Sequence, residues 1–128
     1  MPLVRISLPA DRTNALSERV SQGVHSAMVE TFNVPEDDRF QIISEYVPGE
    51  GMIWPDSFLG ITHGSMVAFV QITCAEGRSV EQKKALFAAI AANLARVGVP
   101  ANDVIINLVE TARENWSFGN GLAPFALN

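Results

Sequence analysis

The sequence predicts an α/β fold in which a duplicated β-α-β unit forms a four-stranded mixed sheet with two helices on one face. Two observations predict it. Apolar runs typical of strands alternate twice with long segments of helical periodicity. The turn signals also recur in the same order in both halves of the chain. The matched positions are Arg12-Thr13 with Arg78-Ser79, Val34-Pro35 with Val99-Pro100, and Asp38 with Asp103.

The first repeat begins with an apolar strand over residues 3–8. Asp11-Arg12-Thr13 opens the following helix, whose apolar side chains recur every four residues. These side chains are Leu16, Val20, Val24, Met28 and Phe32. Asn33-Val34-Pro35 ends the helix, because proline disfavours a helical residue before it. A second strand follows over residues 40–46.

The second repeat has the same order. A strand over residues 66–73 leads to Gly77-Arg78-Ser79, where Ser79 and Gln82 have the spacing of a capping box. We predict that the apolar face of this helix consists of Val80, Phe87, Ile90, Leu94 and Val97. Gly98-Val99-Pro100 ends it, and the closing strand covers residues 104–109.

The chain of 128 residues is long enough for one domain. Within it we place the repeats at residues 2–47 and 66–110, a connecting loop at 48–64 and a tail at 111–128. The loop is rich in glycine and proline, and the tail, which carries aromatic residues and glycine, is predicted to be loop or short strand.

The composition excludes several classes of function. A net charge of -5 without a Lys/Arg cluster argues against a nucleic-acid partner. No apolar run is long enough to cross a membrane, and the start lacks a signal-peptide pattern. The single cysteine, Cys74, fits a reducing cytoplasm, and it has no metal-ligand spacing to His25 or His63. We therefore expect a cytoplasmic protein without a membrane or metal partner.

Two strands predict an oligomer. Residues 67–70 and 104–106 are continuously apolar, as in strands covered on both faces. Two helices cover only one face of a four-stranded sheet. We therefore expect partner subunits on the other face.

The second residue carries the strongest chemical signal. A methionine before a small residue such as Pro2 is normally removed, which would leave a secondary amine at the N-terminus. An α-amino group titrates near neutral pH, so this amine would be suited to act as an acid or a base.

The chain resembles the tautomerase superfamily nearly from end to end, and within it the malonate semialdehyde decarboxylases. The matching segments are Pro2-Leu3, Ala27-Met28-Val29, Val34-Pro35, Asp38-Arg39-Phe40-Gln41, Pro48-Gly49-Glu50, Arg78-Ser79, Glu81-Gln82-Lys83, Asp103-Val104-Ile105, Leu108-Val109-Glu110 and Trp116-Ser117-Phe118-Gly119. The resemblance implies a cofactor-free homotrimer acting on a small oxo-acid. It implies that Pro2 is the catalytic amine, that Asp38 assists it and that Arg78 binds the substrate carboxylate. The apolar wall would be Trp116, Phe118 and Phe125.

One position departs from the decarboxylase pattern, which carries two arginines around the turn at Arg78. Glu76 replaces the first of them. A carboxylate facing the site would repel an anionic substrate, so a keto–enol tautomerase of the phenylenolpyruvate type is the alternative function. A non-enzymatic trimeric scaffold is a third. His63 stands where the family often has arginine and is a candidate substrate contact, whereas His25 is predicted to pack or lie at the surface.

Overall fold

The computed structural model describes residues 1–10 and 15–126 and confirms the predicted fold class. The elements are β1 (Pro2–Pro9), α1 (Leu16–Phe32), β2 (Phe40–Tyr46), β3 (Ser57–Phe58), β4 (Ile61–Thr62), β5 (Ala68–Ala75), α2 (Val80–Arg96) and β6 (Val104–Thr111). The main sheet has the order β2-β1-β5-β6. Its central strands are antiparallel, and each pairs in parallel with the outer strand of its own repeat. Within the described ranges, no helix combines the length and apolar character needed to cross a membrane.

The core lies between the sheet and the two helices. Alternate side chains of the central strands point into it, because successive residues of a strand face opposite sides. From β1 these are Val4, Ile6 and Leu8, and from β5 they are Ala68, Val70, Ile72 and Cys74. All are 2% exposed or less.

Helix α1 buries the five apolar residues that the sequence predicted, Leu16, Val20, Val24, Met28 and Phe32. It ends where Asn33 adopts a left-handed conformation with φ 55°, and the Asn33 amide donates to the carbonyl of Met28. The predicted helix start at Asp11-Arg12-Thr13 lies outside the described residues, as does that half of the repeat match.

Helix α2 begins with the predicted capping box, in which Ser79 and Gln82 each accept a hydrogen bond from the other's backbone amide. The predicted apolar face is partly wrong. The buried residues are Leu86, Ile90 and Leu94, whereas Val80 is 60% exposed and Phe87 37% exposed. At roughly 100° per residue, Val80 and Phe87 lie roughly 60–80° around the helix from Ile90, on the flank of the buried face.

The connecting segment is not simply a loop. Strands β3 and β4 form a short antiparallel hairpin within it, which the sequence analysis did not predict. Strand β5 also begins two residues later than predicted. The amides of Gly64 and Met66 donate to the Asp103 carboxylate instead of joining the sheet, so the ladder starts only after them.

The face of the sheet opposite the helices is open in the single chain. Apolar side chains project from it, including Leu3 at 39% exposure, Ile42 at 41% and Val109 at 47%. This is the face that the continuous apolar strands led us to expect against partner subunits. The oligomer stays a prediction.

Candidate active site

The site is built around the start of β1, a central strand. Pro2 is the first residue of β1 and is buried opposite Cys74 of β5. Proline is tolerated at the first position of a strand because its missing amide donor is not needed there. Met1 precedes it and brings the terminal amine to the edge of the core.

Asp38 receives that amine. The Met1 nitrogen donates to Asp38 Oδ2 at 2.6 Å, and the two form an ion pair. The sheet explains the position, because β1 and β2 run in parallel with Leu3 opposite Phe40, which places the residues just before β2 beside the start of β1. The other carboxylate oxygen, Oδ1, is buried, and no described residue donates to it. Asp38 therefore presents an unpartnered acceptor beside the amine.

A cluster of aromatic rings lies beside this pair. Trp116 and Phe118 stack with centroids 5.6 Å apart and planes 9° apart, as expected for residues two apart on an extended segment. Phe118 also contacts Phe40 at 5.4 Å and the edge of Phe125 at 6.1 Å. The Trp116 indole donates to Thr111 Oγ1 at 2.7 Å, which ties the tail to the end of β6.

A cavity of about 240 Å³ lies beside the phenylalanine rings, whereas Trp116, predicted to be part of its wall, stacks on Phe118 without lining it. It is lined by Met1, Asp37, Asp38, Phe40, Phe118 and Phe125. Phe40 and Asp37 were not predicted as site residues. Phe40 had a signal, since it opens the strand that follows Asp38 and is part of the Asp38-Arg39-Phe40-Gln41 segment. With Met1 in place, Met1 rather than Pro2 lines the cavity.

Arg78 lies between the end of β5 and the start of α2, as predicted, but its side chain does not line this cavity. It donates through Nη1 to the Ala75 carbonyl at 3.1 Å and through Nη2 to the Phe32 carbonyl at 3.3 Å. Its guanidinium also stacks 4.9 Å from the centre of the Phe32 ring. In the single chain, Arg78 therefore joins the end of α1 to the turn after β5.

Arg78 still acts electrostatically near Pro2. Burial raises the pKa of the Cys74 thiol, and the positive charge of Arg78 partly opposes that rise. Cys74 is the strand partner of Pro2. On its other side, Glu110 pairs with Lys83 at 2.7 Å, and the hydrogen bond from Lys83 lowers the pKa of Glu110.

Three other residues considered in the sequence do not line the cavity. His63 lies before β5, at the end of the sheet away from Pro2, and its Nδ1 bonds to the Pro55 carbonyl at 2.7 Å. One chain therefore does not bring His63 to the site. Glu76 is exposed and does not line the cavity. His25 is buried in α1 and bonds to the Glu36 carbonyl at 2.8 Å, in keeping with the predicted packing role.

The arrangement suits proton transfer. An amine and a carboxylate in contact can hold and move a proton, and apolar walls lower the local dielectric, which strengthens electrostatic effects on a bound substrate. Among the described residues, no group of three His, Cys, Asp or Glu side chains is placed to hold a metal ion.

Comparisons with known proteins identify the family of the chain. Two sequence families described as tautomerase enzymes match residues 38–119 and 2–58. The chain is 37% identical to the "Probable tautomerase YusQ" of Bacillus subtilis strain 168, over 96% of this chain and 97% of that protein.

Two solved structures have the same fold. FG41 malonate semialdehyde decarboxylase inhibited by 3-bromopropiolate superposes with a TM-score of 0.90 at 37% identity, over 96% of this chain and 93% of that chain. A malonate semialdehyde decarboxylase described with decarboxylase and hydratase activities has a TM-score of 0.87 at 37% identity, over 96% and 95%. The site geometry and these similarities together lead to one conclusion: the chain belongs to the tautomerase superfamily and is an enzyme of that family with Pro2 at its start.

Proposed function

We propose that this enzyme decarboxylates a small 3-oxo acid, malonate semialdehyde being the specific substrate, with the Pro2 amine as its acid and no cofactor. The observation that carries the proposal is the bond between the terminal amine and Asp38 beside aromatic rings. Removal of Met1 would place the secondary amine of Pro2 next to the same carboxylate. The similarity to two decarboxylase structures supports the choice of substrate.

The carboxylate favours the reaction by stabilising a protonated amine beside it. When carbon dioxide leaves, the C–C bond to the carboxylate breaks and its electron pair moves into the carbonyl group to form an enolate. The Pro2 N–H donates to the oxygen on which that charge develops. The carbon of the enolate then takes a proton from the protonated Pro2 amine, which regains one from solvent, and acetaldehyde leaves. The apolar rings beside the cavity lower the local dielectric, which strengthens the hydrogen bond to the enolate.

Arg78 is proposed to hold the substrate carboxylate. A guanidinium carries more N–H donors than its bonds to Ala75 and Phe32 use, and its planar shape matches a carboxylate. Trp116, Phe118 and Phe125 would form the apolar wall. A contact from His63 would require a second subunit, because the residue lies at the far end of its own sheet.

The second candidate function is ketonisation of phenylenolpyruvate. A relative 37% identical over nearly the whole chain is described as a probable tautomerase, which supports this candidate. This reaction requires a neutral amine that takes a proton from the enol and returns it to carbon. The two reactions therefore need opposite protonation states of Pro2.

We also propose that the enzyme is a homotrimer whose subunits cover the open face of the sheet. Leu3, Ile42 and Val109 on that face are each more than a third exposed in one chain. Light scattering behind a sizing column should give about three times the chain mass of 13.9 kDa. A monomer at micromolar concentration would contradict the proposal.

The deciding experiment compares kcat/KM for decarboxylation of malonate semialdehyde with kcat/KM for ketonisation of phenylenolpyruvate on one preparation. Intact mass must first show that Met1 is absent. A dominant decarboxylation supports the proposal, and a dominant ketonisation establishes the second candidate.

Pro2→Ala is the matched variant, because alanine is also small enough for Met1 removal and replaces the secondary amine by a primary one. Both reactions should fall at least about 100-fold while the elution volume stays unchanged. Full activity in Pro2→Ala would show that the secondary amine of proline is not required.

A further inference from the structure

A second, larger concavity lies on the helix layer, away from the site at Met1. It is a groove of about 720 Å³ between α1 and the C-terminal end of α2, and it shares no lining residue with the cavity beside the phenylalanine rings. Nothing in the proposed reaction uses it.

The walls of the groove are held at a fixed separation. A Cβ added to Gly23 of α1 would lie 3.2 Å from Leu94 Cδ1 and 3.3 Å from Asn93 Cβ, so the two helices pack closely at this glycine. Asn93 Nδ2 also donates to the Gly23 carbonyl at 2.9 Å. The groove beside this contact is therefore largely preformed.

The groove is strongly basic for this chain. Arg19, Arg39 and Arg96 line it, three of the nine lysines and arginines in a protein with a net charge of -5. Glu18 is the acidic residue of the lining. The ion pairs found within residues 1–10 and 15–126 lie elsewhere, at the N-terminus and at Lys83.

Neutral groups orient the guanidinium groups. Arg39 donates to Gln22 Oε1 at 2.8 Å and to Ser21 Oγ at 2.6 Å. Arg96 donates to Asn93 Oδ1 at 3.1 Å. Such acceptors fix the direction of a guanidinium without cancelling its charge, and each arginine retains further N–H donors.

We propose that this groove binds a small organic polyphosphate, of the size of a nucleoside triphosphate. The planar guanidinium matches phosphate oxygens two at a time, and several arginines around one concavity suit a ligand with several negative charges. The volume lies in the range of small-molecule sites. The proposal is independent of the reaction at Pro2.

The test is isothermal titration calorimetry on the full chain with inorganic triphosphate and, separately, with ATP as probes. Arg19→Gln and Arg96→Gln each remove one charge from the groove. Lys84→Gln is the matched control, because it removes the same charge from an exposed position on α2 outside the groove.

We expect saturable binding, weakened about tenfold by Arg19→Gln or Arg96→Gln and unchanged by Lys84→Gln. Equal affinity for both probes would assign recognition to the phosphate chain, and tighter binding of ATP would add contacts to the nucleoside. Absence of saturable heat up to millimolar probe would overturn the proposal. So would an equal loss in Lys84→Gln, since binding would then follow overall charge.

Discussion

Asp38 and Asp103 occupy equivalent positions, each just before the outer strand of its repeat, yet they meet different partners. Asp103 is 1% exposed and accepts from the amides of Gly64 and Met66, at 2.6 and 3.2 Å. Asp38 accepts from the terminal amine of Met1 and has a buried oxygen that accepts no hydrogen bond from a described residue. In the second repeat, continuing chain fills the place beside the aspartate. In the first, the chain begins there, and the same carboxylate is left beside an amine and a cavity.

The same turn therefore serves two purposes in this fold. Satisfied by two backbone amides, the aspartate stabilises the fold. Placed beside the Met1 amine, it is the group for which we propose a part in catalysis. We therefore expect substitution of Asp38 to lower activity and substitution of Asp103 to lower stability.

The largest effect is expected from Asp38→Asn. It removes the charge that stabilises a protonated amine, so kcat/KM for decarboxylation should fall about 100-fold. The free energy of unfolding should change by less than about 1 kcal/mol, because the site is partly exposed and water can replace the lost bond.

Steady-state kinetics and urea denaturation measure the two quantities. Asp37→Asn is the control, since Asp37 lines the same cavity without contacting the amine. Equal losses of activity in both variants would show that general negative charge, not the contact with the amine, matters.

The second effect is expected from Asp103→Asn. In this variant, the NH2 group of the asparagine would face one of the two backbone amides that now donate to the Asp103 carboxylate. Two donors cannot bond to each other, so a buried donor would be left without a partner. Stability should fall by about 2 kcal/mol, measured by urea denaturation, while turnover per folded molecule is retained. Asn102→Ala, which loses one exposed bond to the Thr62 carbonyl, should cost less than about 1 kcal/mol. A similar cost for both would mean that burial of Asp103 is not decisive.

The two repeats also differ at the start of their helices. Ser79 caps α2 with its side chain, whereas α1 begins after Ala15, which has a φ of 50° and no side-chain cap. Ser79→Ala should lower stability by about 1 kcal/mol. Ala15→Gly should raise it by about 0.5 kcal/mol, because glycine adopts positive φ without strain but gains freedom in the unfolded chain. Thermal unfolding of both variants checks this, and a loss of stability in Ala15→Gly would contradict it.

The smallest effect concerns the next-to-last residues of the outer strands. Glu45 accepts from the Ser17 hydroxyl at 2.8 Å, whereas its counterpart Glu110 pairs with Lys83. The Lys83 hydrogen bond lowers the folded-state pKa of Glu110. The stabilisation is therefore present above the ordinary pKa of a glutamate and is lost as pH falls through the lowered value. Lys83→Met should weaken the pH dependence of stability in that acidic range, and an unchanged acid-unfolding curve would show that the pair contributes nothing.

The sequence was sufficient for the fold because its signals are local. Apolar spacing in α1, the capping box at Ser79 and the prolines after each helix predict elements, and their repetition predicts the pairing of strands. The predicted face of α2 was partly wrong, because the apolar residues of this helix lie around more than one face. The hairpin β3–β4 was missed because its strands are two residues each, too short for periodicity.

Only part of the site could be predicted from the sequence. The start of β1 lies beside Asp38 because β1 and β2 run in parallel with Leu3 opposite Phe40, which the predicted topology already implies. The bonds of Arg78 to Ala75 and Phe32, and the position of Phe40 against Phe118, depend on side-chain directions across the fold. No local pattern encodes those directions.

The burial of Met1 has a consequence for the order of events during synthesis. In the folded chain the Met1 side chain is 9% exposed and its amine is bound to Asp38, so a peptidase has little access to the first peptide bond. The partners that enclose it arrive late, since β2 begins at Phe40 and the aromatic tail follows Thr111. Exposing the Pro2 amine is therefore a task for the nascent chain. A molecule that folds before Met1 is cut should stay blocked, and adding methionine aminopeptidase to such folded protein should leave its mass unchanged.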